Sequence, residues 1–178
     1  MRTGSLLAGA AVGAIAGMVA GIVAAAGARA AMRMVAVGVA DGVGVRPDFT
    51  LAGTLAIVAA GMFIGTPAGV LYSAIADRLP GPRRLHGLLF GLLLLAAIGP
   101  FFLRTEEFFS AGRVLLFAPL FPLFGIVLGL ARDPASRLIA RFPTGIQTAL
   151  GLAGTASVLL MLFVAAISLL GLPAGSAM

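Results

Sequence analysis

The chain has 178 residues, 61% of them hydrophobic and 10% charged, with a mean hydropathy of +1.14. Soluble domains carry roughly 45–50% apolar and about 25% charged residues, so this composition leaves too little polar surface to cover a fold in water. Cys is absent, which excludes disulfides, thiolate metal sites and redox thiols.

A net charge of +6 and a pI near 11.7 would suggest nucleic acid as the partner of a soluble chain. Here all 12 basic residues are Arg, and almost all fall between apolar runs, where they read as anchors at a membrane interface. No nucleic-acid partner is expected. The absence of Lys and Asn, with the excess of Ala, Gly and Arg, matches the coding bias of a GC-rich bacterial genome.

In chain order, apolar runs occupy Leu6 to Ala26, Leu51 to Ile75, His86 to Leu103, Val114 to Ala131 and Ile146 to Leu172, none containing Lys, Arg, Asp or Glu. A charge at the centre of such a run would cost about 2.5–3.5 kcal/mol on insertion. About 20 apolar residues cross a hydrocarbon core roughly 30 Å thick, and hydrophobicity that is continuous rather than alternating selects helices over a barrel. The expected fold is therefore an all-α, polytopic transmembrane bundle of about five spans in a single domain. The first run, after Met1 and Arg2, is longer than the 7 to 15 residues usual in a signal peptide, so it is read as a span; cleavage near Ala28-Arg29-Ala30 would leave four.

The second and third runs share a pattern with the fourth and fifth. Gly65 and Gly69 precede Asp77-Arg78-Leu79-Pro80 and then Gly87 and Gly91; Gly125 and Gly129 precede Arg141-Phe142-Pro143 and then Gly145 and Gly151. A two-helix repeat of this kind puts both connecting loops on one side. That side then holds Arg2, Arg78, Arg83, Arg84, Arg132, Arg137 and Arg141, against Arg29, Arg33, Arg46, Arg104 and Arg113 on the other. The excess of arginine, seven against five, predicts an N-terminus in the cytoplasm, and the expected location is the bacterial inner membrane.

The most specific pattern lies in the first span, where Ser5, Gly9, Gly13, Gly17, Gly21 and Ala25 recur every four residues. This spacing keeps small residues on one helix face, a glycine zipper that lets another backbone approach closely. Gly9, Gly13, Gly17 and Gly21 are the expected helix-packing residues, with a helix of the same chain favoured as their partner over a second molecule. Arg78, Arg83, Arg84, Arg137 and Arg141 are the expected lipid-headgroup contacts.

Chemistry is sparse. Thr66-Pro67, Gly99-Pro100, Pro119 and Pro122 interrupt helices, and broken helices build solute sites in some transporters. Thr54, Thr66, Tyr72, Ser73, Thr148, Thr155, Ser157 and Ser168 are the hydroxyls in or near the spans, and all can bond their own helix. The longest connection, residues 29–50, carries Arg29 and Arg33 on one face, a turn at Asp41-Gly42-Val43-Gly44, and Asp48 or Thr50 as a helix cap. Glu106 and Glu107 read as a solvated turn, and His86, the only histidine, as an interface residue at a helix entrance. No nucleophile elbow, phosphate-loop lysine or H-E-x-x-H is present, and no acid lies inside a span to relay protons. No cofactor, metal site or enzymatic activity is expected.

Met32-Arg33-Met34-Val35, Arg46-Pro47-Asp48-Phe49-Thr50, Gly53-Thr54 and Leu79-Pro80-Gly81-Pro82-Arg83-Arg84-Leu85 with Gly87 and Gly91 resemble small uncharacterised multi-pass membrane proteins of GC-rich bacteria, over roughly residues 30–95. The resemblance implies a standalone membrane protein and carries no activity or functional residue with it. The expected role is a non-catalytic structural or accessory subunit, with the lipid bilayer and a homo-oligomer or membrane-protein partner as its contacts. The alternative is a transporter or solute-binding subunit for an apolar or neutral substrate.

Overall fold

The structure, a computed structural model, describes residues 2–38, 50–102 and 111–169, and side chains over 4–34, 50–100 and 114–166. All of the elements are helical: α1 Arg2–Gly38, α2 Leu51–Ile75 followed by a 3-10 turn at Ala76–Arg78, α3 Arg83–Phe102, α4 Ala111–Phe117, α5 Leu120–Ile139 and α6 Thr144–Leu169. Five of the helical segments are long and apolar enough to cross a membrane, with α4 and α5 counting as one crossing from Val114 to Ile139.

The bundle is organised around α1, which packs against α2, α5 and α6, while α3 packs on α5. The reason lies in the side chains α1 presents: Ala11, Ala14, Ala16, Ala20, Ala25 and Ala31 are buried, and Gly13, Gly17 and Gly21 lie between them. Small residues on more than one face allow several neighbours to approach at once. The interior is correspondingly poor in bulk, and among the described residues only Phe90, Leu128 and Ile139 are large side chains with essentially no exposure.

Gly13, Gly17 and Gly21 meet Gly69, Gly65 and Gly61 of α2 in antiparallel register. A Cβ on Gly17 would fall against the Gly65 carbonyl oxygen and 2.9 Å from its carbon, and one on Gly69 would lie 2.7 Å from the Gly17 Cα. Backbone therefore touches backbone along this seam, a gain in dispersion contacts that any larger residue forfeits. The same happens between α3 and α5, where Gly87 and Gly91 meet Gly125 and the Phe121-Pro122 backbone. On α6, Gly151 lies on Leu7 and Gly154 on Ala10, Ala14 and Val70. The glycines of the sequence repeat thus have unlike neighbours: Gly65 and Gly69 face α1, Gly125 faces α3, Gly151 faces α1, and Gly145 has nothing within 4 Å of a Cβ. Gly9 likewise has nothing within 4 Å, so the seam on α1 begins one turn later, at Gly13.

These registers fix the ends of the bundle. The start of α1, the turn after α2, the start of α3, the end of α5 and the start of α6 lie at one end, which carries the two described loops, 79–82 and 140–143.

The larger boundary differences from the sequence reading are three, each with a local reason; α3 and α6 also begin a few residues earlier than read, at Arg83 and Thr144. α1 runs on past Ala26 to Gly38, because residues 30–38 contain no helix breaker; its 37 residues span about 55 Å. The fourth span is divided at Ala118-Pro119: Pro119 and Pro122 cannot donate to the carbonyls four residues back, and the chain crosses with an Ala118 N–H to Val114 bond of 2.8 Å and a Phe121 N–H to Ala118 bond of 3.3 Å. At its other end that span does not stop at Ala131. It continues through Arg132-Asp133-Pro134 to Ile139, drawn on by the burial of Ala135 and Ile139. Thr50 caps α2 by accepting the Gly53 N–H at 3.1 Å.

Gly17→Leu is expected to destabilise the bundle by about 1–3 kcal/mol or more through overpacking against fixed backbone, whereas Gly9→Leu leaves it intact. Thermal unfolding of the purified variants in one detergent compares the two directly; equal melting temperatures would show that the α1–α2 seam does not need its glycines.

Candidate functional site at the arginine-rich end

The face of α2 that carries Gly65 and Gly69 continues, at helical spacing, to Tyr72 and Ala76, all of them buried. Tyr72 is 3% exposed. Its ring packs on Phe90 of α3, with centroids 5.2 Å apart and planes inclined at 51°. Arg132 of α5 places its guanidinium carbon 5.9 Å from the ring centroid and is the hydrogen-bond partner of the hydroxyl, with Asp77 and Asp133 as the other nearby charges. A buried Tyr needs a partner for its hydroxyl, and the continuation of α5 beyond Ala131 is what brings Arg132 to it.

His86 lies in the first turn of α3 and is buried, 7% exposed. The Gly81 carbonyl is 3.0 Å from Nε2, and since a carbonyl can only accept, Nε2 carries the proton of this bond. Gly81 has φ of +91°, a conformation that a side chain disfavours. The histidine therefore sits at the helix entrance as the spacing suggested, but folded inward as a brace for the loop between α2 and α3.

The arginines named from the sequence gather at this end. Arg78 donates to the Ala74 carbonyl at 2.9 Å and closes the end of α2. Arg83 and Arg84 open α3, Arg137 is in the last turn of α5, and Arg141 is in the loop before α6; all five are exposed. Arg132 differs from them in being spent on Tyr72.

The hydroxyls of the spans turn back on their own helices: Thr54 to Thr50, Thr66 to Met62, Thr148 to Thr144, Thr155 to Gly151 and Ser157 to Gly154. The Ser73 hydroxyl is buried without a hydrogen-bond partner among the described residues, opposite Gly13. Around Pro67 a groove of about 170 Å³ opens between α2 and α6, lined by Phe63, Ile64, Pro67, Leu160, Met161 and Val164 and by no polar side chain. No group of three His, Cys, Asp or Glu is placed to hold a metal among the described residues. Asp41, Asp48, Glu106 and Glu107 lie outside the described residues.

This arrangement defines an α-helical bundle of membrane-length helices with one strongly basic, internally braced end. Comparison with known protein families, with curated proteins and with solved structures finds no match, so the chemistry of the site is read from its own residues. The Tyr72, Phe90 and Arg132 contact escaped the sequence reading, although the spacing Gly65, Gly69, Tyr72, Ala76 already put the tyrosine on the packed face.

Tyr72→Phe keeps the Phe90 contact and removes the Arg132 partner, for an expected cost of about 1–2 kcal/mol. Tyr72→Ala also empties the site and is expected to cost about 3–5 kcal/mol. Thermal unfolding in detergent ranks the pair; a Phe variant as unstable as the Ala variant would show that the hydroxyl, not the ring, holds this end.

Proposed function

We propose that the chain is a multi-pass protein of the bacterial inner membrane, with its N-terminus in the cytoplasm, acting as a non-catalytic structural or accessory subunit. The reading is supported above all by how the surfaces are divided. The small-residue faces that allow close approach are turned inward, α1 to α2 and α3 to α5, which makes a rigid interior. The large apolar residues are left outside: Phe63, Ile64, Leu152, Leu159, Leu160, Leu162, Phe163 and Val164 of α2 and α6 are each at least half exposed. The partner-facing surface is then the α2–α6 side, rather than the glycine ladder itself. The basic loop end supports the orientation through the preference of arginine for the cytoplasmic side.

Crosslinking in native membranes from cysteines placed at Phe63 and Leu160, followed by native mass spectrometry in mild detergent, is expected to give a stable homo-oligomer or a defined membrane-protein complex. A strict monomer that forms no crosslink in the membrane overturns the reading. One observation favours the alternative, a subunit that takes up an apolar or neutral solute, namely the unfilled groove beside Pro67. Recovery of a small apolar molecule with the purified monomer, lost when Met161→Trp fills the groove, would replace the subunit reading with that one.

A further inference from the structure

The exposed arginines at the loop end stand among exposed apolar side chains. Leu85 lies beside Arg83 and Arg84 and is 45% exposed, Leu138 beside Arg137 is 43%, Phe142 beside Arg141 is 37%, and Ile146 at the start of α6 is 45%. Such interleaving suits the headgroup layer of a bilayer, which offers phosphate and carbonyl oxygens to guanidinium groups and acyl carbon to Leu, Ile and Phe.

The lengths of the crossings agree. Val114–Ile139 has 26 residues and Leu51–Arg78 has 28, about 39 and 42 Å of helix at 1.5 Å per residue. Both exceed a hydrocarbon core of roughly 30 Å and match the 40–45 Å that includes the headgroups. Set upright across a bilayer, α2 and α5 would end within the headgroup layer, which would put Arg83, Arg84, Arg137 and Arg141 at that depth. Those four make no ion pair among the described residues, and Asp77 and Asp133 are the acids described at this end. The positive charge is left to be met from outside the protein.

We propose that Arg83, Arg84, Arg137 and Arg141, with Leu85, Leu138, Phe142 and Ile146 between them, form a collar that binds the phosphate headgroups of anionic phospholipids in the leaflet at the loop end. Guanidinium forks pair with phosphate oxygens two at a time, and the apolar neighbours hold the lipid's glycerol and upper acyl chain. The inference rests on the membrane seat of the chain and not on its having a protein partner, so a monomer that shows the lipid preference keeps it.

The full-length protein in mixed micelles is loaded with equal amounts of phosphatidylglycerol and phosphatidylcholine, and retained lipid is counted by native mass spectrometry at low and high salt. The expected result is at least tenfold enrichment of phosphatidylglycerol that falls as salt rises, since attraction at an anionic surface is screened. Removal of each arginine is expected to lower the enrichment stepwise, by at most about fivefold each. Arg83→Gln/Arg84→Gln/Arg137→Gln/Arg141→Gln should abolish it, and the corresponding Lys variant, which keeps the charge without the fork, should retain only part of it. Equal retention of the two lipids by the unaltered protein overturns the proposal, as does enrichment that survives the four Gln substitutions. Should the Gln variant fail to fold, the salt titration of the unaltered protein decides: enrichment that does not fall with salt overturns the collar. Millimolar inorganic phosphate is expected to leave the lipid bound, and displacement by it would assign the site to a free anion instead.

Discussion

Helices already in lipid gain little by hiding apolar side chains from one another, because the acyl chains they leave are as apolar as the residues they meet. Backbone approach is the remaining source of attraction, and the seam of Gly13, Gly17 and Gly21 against Gly61, Gly65 and Gly69 is where this chain uses it most fully. The other placements follow from that seam. With α2 drawn close to one face of α1, the alanines of α1 are left for α5 and α6, and Gly151 and Gly154 let α6 settle beside Leu7, Ala10 and Ala14. α3 has no comparable claim on α1 and attaches instead to α5, through Gly87, Gly91 and Gly125.

Close backbone contact has a geometric consequence at the end of the bundle. Helices that cross tightly at glycine must diverge or be filled where the glycines stop. At the loop end the filling is done by larger groups: Tyr72 follows Gly69 by three residues and Arg132 follows Gly129 by three, and both approach the space beside Phe90, which stands between Gly87 and Gly91 of α3. The contact of Tyr72 with Arg132 thus lies where the glycine seams of α2 and α5 run out, toward the loop end of the bundle. His86 completes the end by tying the α2–α3 loop to the first turn of α3.

The spans were legible because their signal is summed over some 20 residues, and no single position decides it. Boundaries rest on single residues and were less legible. Arg132-Asp133-Pro134 reads locally as a stop, and the burial of Ala135 and Ile139 against distant parts of the chain outweighs it. The division at Pro119 depends on two prolines three residues apart acting together, where either alone would only bend the helix; Pro67, alone, leaves α2 continuous. The ladder on α1 was visible as a pattern, but the end of its working part was not: Gly9 and Gly13 are alike in sequence, and only the register with α2 distinguishes them. Tyr72 was legible as a hydroxyl and not as a contact, since its partners are on two other helices.

The same division of surfaces bears on function. A protein that moves a polar solute needs side chains free to exchange partners along the way; the hydroxyls of Thr54, Thr66, Thr148, Thr155 and Ser157 are each committed to a carbonyl of their own helix, and Ser73 is an exception among the described hydroxyls in the spans, buried against Gly13. The helix seams have no spare volume, because a single added Cβ already meets backbone on the other side. Motion between α1 and α2 would therefore have to break many small contacts together, and a seam of that kind favours one rigid arrangement over two interchangeable ones. What such a rigid body offers a membrane is its outside: large apolar residues on α2 and α6, and arginines set among leucine, isoleucine and phenylalanine at one end. Those surfaces are what the proposed subunit role draws on.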